Sequence, residues 1–304
     1  MPDSAFLIAA VTVESVIRLS PSFVRVEFSA PELEHFGTAG PVFDQRIKLV
    51  FPCDDGSLPD ILGAESWWDA WRALPEHARG AMRTYSVRDL VGDGGERRLV
   101  VDLVLHLAEG ASGPASRWAS TAAVGDRLIV IGPRRSAVAS GGIEFAPGDA
   151  EHIVLAGDET AVPAIARILA DLPPEACGAA FLEVPHPDDI DELAAPAGVR
   201  VTWLPRAGAP VGAHLVPGVV AHLGGRAEDG RVEPEADEVW ETPGYSSFGE
   251  TIAAGRGIPG LYAWIAGESG VVTALRRHLV RDLGVDRDQV AFMGYWRLGV
   301  AMRG

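Results

Sequence analysis

The stretch that decides the fold is IVLAGDETAVPAIARILAD, residues 153–171. Its first four residues are an unbroken apolar run that ends at Gly157, and the apolar residues from Ala161 to Asp171 recur at helical spacing. A continuously apolar strand followed by a helix is typical of a parallel sheet that is covered on both faces. This stretch therefore predicts the start of an α/β domain.

The residues downstream repeat the same pattern. Apolar runs at 179–184, 199–204, 261–266 and 290–295 predict further buried strands, and a helix is expected over 271–283. The polar stretch 224–257 has no periodicity and is predicted to be a long loop whose Trp240 and Tyr245 dock on the body. We assign residues 148–304 to this domain.

The residues upstream predict a different architecture. Apolar and charged residues alternate over 24–28, and the β-rich runs 99–106 and 126–131 are bounded by glycine-rich turns, so residues 1–147 are expected to form a small antiparallel β-barrel. Between these strands lies the excursion 54–80. Its Trp67, Trp68 and Trp71 share one helical face and are predicted to cover the barrel, the alternative being a ligand-stacking surface.

Composition excludes several classes of protein. With 26 Lys and Arg against 42 Asp and Glu, the 304-residue chain has a net charge of -16, so neither nucleic acid nor an anionic membrane is expected as a partner. Cys53 and Cys177 cannot build a disulfide framework or a four-cysteine metal site, and no H-E-x-x-H occurs, so we expect no protein-bound metal. Without a basic leader or a long apolar span, a cytoplasmic protein is predicted.

A short polar cluster in the barrel half could bind a cofactor. Arg83, Thr84, Tyr85 and Ser86 lie on a predicted strand, with Arg83 and Tyr85 on one face and Thr84 and Ser86 on the other. A guanidinium, an aromatic ring and hydroxyls suit FAD, because they can contact its phosphates and flavin ring. The alternative is an ordinary strand edge with a solvated arginine.

A second candidate is the segment GPASRWA, residues 113–119. It predicts a turn, a hydroxyl N-cap and a short helix, whose free N–H groups could bind a pyrophosphate. His106 ends the preceding strand and could contact the flavin. A connecting helix without a ligand and a structural histidine remain the alternatives.

Two strand-to-helix turns could bind a nucleotide in the second half. Asp158, Glu159 and Thr160 form the first, in which Thr160 is predicted to cap the helix, and Glu268 lies in the second. Both turns follow parallel strands, where open α/β sheets bind ligands. Because no G-x-G-x-x-G occurs and carboxylates repel phosphate, we expect these residues to cap helices or bind ribose.

Taken in order, these segments resemble the siderophore-interacting protein family of FAD-containing ferric-siderophore reductases. The most specific matches are GDETAVPAI at 157–165, WIAGES at 264–269 and GYWR at 294–297. Further matches are QRIKLVFP at 45–52, MRTYSVR at 82–88, VLH at 104–106, GPASRWA at 113–119, GPRRS at 132–136 and VTWLPR at 201–206.

The resemblance implies a ferredoxin-reductase-like fold, with FAD on the barrel and NADPH or NADH on the α/β domain. Hydride would pass to the flavin and single electrons to a ferric siderophore, which then releases Fe(II). The residues expected to bind FAD are Arg83, Thr84, Tyr85, Ser86, His106, Pro114, Ala115, Ser116 and Trp118. Those expected to bind the nicotinamide dinucleotide are Asp158, Glu159, Thr160 and Glu268.

The resemblance also implies basic residues that attract anionic ferric chelates. The matching candidates are Lys48, Arg134, Arg135 and Arg297, and the alternative is that they are solvated or paired surface cations. GPRRS has a second arginine where the family commonly has glycine, which leaves open whether Arg134 or Arg135 faces the substrate.

Three functions stay open at the level of sequence. The first is the NAD(P)H-dependent reductase, the second is the same flavoprotein fed by a ferredoxin, and the third is a flavin or siderophore carrier without turnover. A monomer is expected. Arg200 and Arg206 are candidates for a contact to the 2'-phosphate of NADPH.

Overall fold

The structure, a computed structural model, describes residues 5–106, 113–137, 141–225, 239–243, 245–246 and 257–300. The chain divides into two compact units between Ile143 and Glu144. Among the described residues, no helix is long and apolar enough to cross a membrane.

The first unit is a seven-stranded antiparallel sheet in the order β4-β3-β7-β1-β2-β6-β5. It curls around one apolar core as a half-barrel, and its edge strands β4 and β5 do not pair with each other within the described residues. The strands are β1 Phe6–Arg18, β2 Phe23–Ser29, β3 Arg46–Phe51, β4 Ala81–Ser86, β5 Asp89–Val91, β6 Arg98–Val104 and β7 Arg127–Pro133. The helices are α1 Trp67–Ala73 and α2 Pro114–Thr121, with 3-10 turns at Pro31–His35, Glu76–Ala78 and Gly94–Glu96.

Strand alternation decides which residues face this core. Ile47 and Leu49 of β3 point inward, whereas Val50 lies in a second apolar cluster with Trp71 of α1. Trp71 is buried and Trp67 packs against the same cluster, so the predicted cover over the half-barrel is confirmed for these two. Trp68 stacks on Trp71 but is 44% exposed, because it lies on the outer side of the short helix.

The second unit contains a parallel sheet, as predicted. Five parallel strands run in the order β10-β9-β8-β13-β14, and two short antiparallel strands extend the β14 edge. The strands are β8 His152–Gly157, β9 Cys177–Val184, β10 Gly198–Pro205, β11 Trp240–Thr242, β12 Tyr245–Ser246, β13 Leu261–Glu268 and β14 Val290–Trp296. The helices are α3 Val162–Asp171, α4 Leu215–His222 and α5 Ser269–Arg276, with a π-helical turn Arg277–Asp282 and 3-10 turns Pro187–Asp189 and Arg287–Gln289.

Three features of this unit differ from the sequence prediction. Helix α4 is not predicted by the pattern, and the helix expected over 271–283 begins at Ser269 and loosens into the π-helical turn. Within the predicted loop 224–257, Trp240–Thr242 is a strand paired with β14, so the prediction is wrong there. Trp240 does dock, stacking on Tyr295 with ring centroids 6.2 Å apart, while the side chain of Tyr245 lies outside the described part.

Candidate functional site

Strand β4 presents its candidates on two faces, as the alternation predicts. On the outer face, Lys48 Nζ donates a 2.7 Å hydrogen bond to Thr84 Oγ1. Burial, and then the nearby charge of Arg46, lower the pKa of Lys48. Ser86, two residues further along this face, is buried. Thr84 is therefore already the acceptor for a candidate substrate cation.

On the inner face, Tyr85 packs against the core and meets Phe51 edge to face, with ring centroids 6.4 Å apart. Burial raises the pKa of Tyr85, against a smaller opposing effect of Arg83, so its phenol stays neutral. The only hydrogen bond of the Arg83 guanidinium within the described residues goes to Met82 O, at 2.7 Å. Most of its N–H groups therefore remain available to a ligand.

Helix α2 has a different N-terminus from the one predicted. Gly113 is the N-cap and Pro114 the first residue, so the prediction of a hydroxyl cap is wrong. Ser116 Oγ instead accepts a 2.7 Å bond from the backbone N–H of His106, because Ser116 faces the end of β6. Ala115 lies in the core, and Trp118 stacks on Phe28 with ring centroids 6.3 Å apart.

The arrangement suits the anionic end of FAD. Phe51 contacts both Tyr85 of β4 and Trp118 of α2, so the two candidate segments lie in one region of the first unit. The first turn of α2 has backbone N–H groups without a partner inside the helix. These groups and the Arg83 guanidinium are hydrogen-bond donors of the kind that bind phosphate.

Asp158 lies at the carboxyl end of β8 and accepts hydrogen bonds from residues that follow three parallel strands or end them. Its Oδ1 accepts bonds from the backbone N–H and the hydroxyl of Thr160, at 2.9 and 2.5 Å. Its Oδ2 accepts from Glu268 N at 2.6 Å and from Trp296 Nε1 at 2.8 Å. Ala161 is the N-cap of α3 and has no side-chain cap, so the prediction that Thr160 caps this helix is wrong.

Glu159 belongs to a buried charge cluster. Its carboxylate binds Arg206 in bidentate geometry at 2.6 and 3.0 Å, and Arg206 also lies 3.4 Å from Glu183. The carboxylate of Glu183 caps α4, accepting bonds from the backbone N–H groups of Gly212, His214 and Leu215. The Arg206 guanidinium thus already has two carboxylate partners, whereas Arg200 is exposed.

Glu268 caps α5, which is one of the two roles that the sequence predicts for it. Its Oε2 accepts from Val271 N at 3.0 Å, and its Oε1 accepts from Leu298 N at 3.2 Å. Carboxylates of the chain itself therefore occupy the N-termini of both α4 and α5. A nucleotide phosphate that approached these termini would meet negative charge.

The predicted substrate cations are distributed over both units. Arg134 and Arg135 line a cavity of about 400 Å³ with Glu34, His35 and Ser136, and Arg135 is the more exposed. Arg297 is half-buried and follows β14 directly. Within the described residues, no group of three or more His, Cys, Asp or Glu side chains could hold a metal ion.

The titration of Asp158 gives a first testable consequence. Burial, and then the like charge of Glu159, raise its pKa to about 7, against the hydrogen bonds from Thr160 and Trp296. The folded state therefore binds this proton more readily than the unfolded chain does, so the free energy of unfolding falls as the pH rises from about 4 to about 7.

We expect Thr160→Val to make the free energy of unfolding fall more steeply with rising pH, because the substitution removes a hydrogen bond that stabilises only the ionised carboxylate of Asp158. The loss of stability should be about 1.5 kcal/mol at pH 8 and smaller at pH 5, measured by urea unfolding. Thr273→Val is the control, since its hydroxyl donates to the backbone carbonyl of Ser269, which does not titrate. Equal losses of stability at both pH values for Thr160→Val would contradict the conclusion that Asp158 ionises in this pH range.

A flavin-binding half-barrel followed in the chain by a parallel α/β unit defines the ferredoxin-reductase-like class of flavin-dependent oxidoreductases. A ferredoxin reductase of carbazole 1,9a-dioxygenase shares this fold, with a TM-score of 0.55 over 96% of this chain and 68% of its own, at 17% identity. The chain belongs to the siderophore-interacting protein family, which confirms the resemblance. The family model matches residues 150–299, and the model of the siderophore-interacting FAD-binding domain matches residues 12–137.

The alignments with relatives cover nearly the whole chain. An uncharacterized protein of Mycobacterium tuberculosis is 35% identical over 92% of this chain and 87% of its own. The NADPH-dependent ferric-chelate reductase of Escherichia coli is 30% identical over 94% and 91%. The crystal structure of a siderophore utilization protein from T. fusca has a TM-score of 0.69 at 30% identity, covering 98% of this chain and 95% of its own.

Proposed function

We propose that this protein reduces ferric siderophores with FAD as cofactor and NADPH or NADH as electron donor, in the cytoplasm. The observation that carries the proposal is the donor set on the first unit, where the Arg83 guanidinium and the first turn of α2 lie on elements that share Phe51. The likeness to the ferric-chelate reductase of Escherichia coli supports the substrate class.

The protein supplies binding and electrostatics in this reaction. Arg83 and the first turn of α2 hold the diphosphate of FAD, and the core-packed Tyr85 offers its ring to the flavin. FAD, when bound, supplies the conversion of a two-electron hydride transfer into one-electron transfers. The balance is one NAD(P)H and two Fe(III) consumed for one NAD(P)⁺, two Fe(II) and one proton.

Basic residues admit the substrate against the overall charge of the protein. Lys48, Arg134 or Arg135, and Arg297 provide local positive potential for an anionic ferric chelate. Reduction releases the metal because oxygen-donor siderophores hold Fe(II) far more weakly than Fe(III).

A ferredoxin-type electron donor is the second candidate. Glu183 and Glu268 occupy the N-termini of α4 and α5, which removes two positions where a dinucleotide phosphate could bind. An acidic edge of this kind favours NAD(P)H less than the vacant helix N-termini of other α/β sheets do.

The visible spectrum of the FAD-loaded protein tests the proposal under anaerobic conditions. We expect oxidised flavin to bleach on addition of NADPH or NADH, and then to recover when a ferric siderophore is added with a ferrous trap, at two Fe(II) per nucleotide. Flavin that bleaches only with reduced ferredoxin would favour the second candidate. Bleached flavin that no ferric chelate reoxidises would reject the reductase.

A further inference from the structure

The segment that follows β14 is anchored on both sides of Arg297. On one side, Trp296 Nε1 donates to Asp158 Oδ2 at 2.8 Å, and Trp296 O accepts from Ser269 Oγ at 3.0 Å. On the other side, Leu298 N donates to Glu268 Oε1 at 3.2 Å. The backbone of Arg297 is therefore held between two hydrogen-bonded neighbours. Trp296 is the last residue of β14, and Leu298 lies beyond the strand.

The backbone around these anchors is built to bring them together. The parallel register of β13 and β14 shifts between Gly267 and Glu268, so that Glu268 lies opposite Trp296. Gly267 has a φ of +141°, and a Cβ there would lie 2.6 Å from Asp158 Oδ2. Glycine is therefore needed for both the conformation and the close approach of the carboxylate.

These contacts fill the acceptor sites of Asp158 and use one acceptor site on each oxygen of Glu268. Asp158 receives two donors on each oxygen, which matches the four lone-pair sites of a carboxylate, and it is 1% exposed. Glu268 holds the first turn of α5 with one oxygen and Leu298 with the other. Asp158 therefore cannot bind a ribose hydroxyl at full strength without giving up one of these bonds, whereas each oxygen of Glu268 uses one acceptor site for a bond within the chain.

We propose that Asp158 and Glu268 are positioning residues that fix Arg297 for binding of an anionic ferric chelate. The inference rests on the proposed function for the role of Arg297. In this proposal the strand-to-helix turns that contain Asp158 and Glu268 affect the affinity for the ferric chelate, the electron acceptor, and not the binding of the nicotinamide dinucleotide. A guanidinium on an anchored backbone loses less conformational freedom when it binds an anion than one on a free loop.

Trp296→Phe tests this with the smallest change, since it removes the indole N–H and keeps an aromatic ring. The probes are dianionic ferric DTPA and neutral ferric tris(acetohydroxamate), each with ferrozine as the ferrous trap. We expect kcat/KM for ferric DTPA to fall about fivefold, through KM, while the value for the neutral chelate changes less than twofold. Glu268→Gln should act in the same direction, because one of its two acceptor oxygens is lost.

The matched control is Trp203→Phe on β10, whose indole nitrogen has no hydrogen bond within the described residues. A second readout does not depend on turnover. Amide hydrogen exchange of a peptide covering 296–300 should be faster in Trp296→Phe and Glu268→Gln than in the wild type, with or without FAD, and unchanged in Trp203→Phe.

Arg297→Ala separates the two levels of the proposal. A loss confined to ferric DTPA supports the role of Arg297, and wild-type chelate selectivity in Trp296→Phe and Glu268→Gln would then overturn the positioning role alone. Equal losses on both chelates in Arg297→Ala would reject Arg297 as a substrate cation, and with it the inference. Unchanged exchange at 296–300 in both variants would also overturn the inference, because the anchors would not hold the segment.

Discussion

Arg206→Ala is expected to lower the free energy of unfolding of the second unit by about 3–5 kcal/mol. The side chains of Glu159 and Glu183 are 2% and 0% exposed, so removing the guanidinium leaves two carboxylates buried without their counter-ion. Burial alone would lower the pKa of Arg206, but Glu159 and then Glu183 raise it. The two carboxylates therefore favour the charged guanidinium more strongly than burial disfavours it.

This result would separate two roles for the same residue. If Arg206 binds the 2'-phosphate of NADPH, the alanine variant folds normally and its preference between NADPH and NADH changes. If its main role is to neutralise the buried cluster, denaturant unfolding moves to lower concentration and nucleotide preference is unaffected. Arg200→Ala is the control for stability, since Arg200 is exposed on β10, which ends one residue before Arg206.

The double variant Arg206→Ala with Glu159→Gln makes the test sharper. It removes the buried charge of Glu159 together with the guanidinium, so part of the lost stability should return. Wild-type stability in Arg206→Ala alone would show that water or another group satisfies both carboxylates and would contradict the structural role.

Much of the second unit is predictable because buried parallel strands need continuous apolar sequence. The runs at 153–156 and 261–266 meet that condition and form β8 and β13. Helix α4 is not predicted, since Pro217 and Gly218 interrupt its pattern. Its N-terminus is capped by Glu183, about thirty residues upstream, and no local signal shows such a contact.

The candidate site shows the same division between local and distant information. The turn at Asp158 is visible in the sequence, because an apolar strand runs into a helix there. Its partner Trp296 lies 138 residues further along the chain, and only the parallel register of the strands brings the two together. The hydroxyl caps assigned to Thr160 and the 113–119 segment fail because each hydroxyl has another partner. The hydroxyl of Thr160 donates to Asp158, two residues upstream, and that of Ser116 accepts from the backbone N–H of His106.

Arg83→Ala is expected to weaken FAD binding by about 10- to 100-fold, the loss of one charge-assisted contact to a diphosphate. The folded protein should lose little stability, because within the described residues the guanidinium bonds only to the carbonyl of its own neighbour Met82. Calorimetric titration of the flavin-free protein with FAD measures the affinity, and thermal unfolding without FAD measures the stability.

The control for this variant is Arg98→Ala in the same unit. Arg98 is an exposed cation on β6 that pairs with Glu27 at 3.1 Å, so its removal changes the net charge equally without touching β4 or α2. A specific phosphate contact predicts that only Arg83→Ala loses FAD, whereas a general electrostatic attraction predicts equal weakening in both variants. FAD affinity that is unchanged in Arg83→Ala would remove this guanidinium from the cofactor site and leave the first turn of α2 as the remaining phosphate donor.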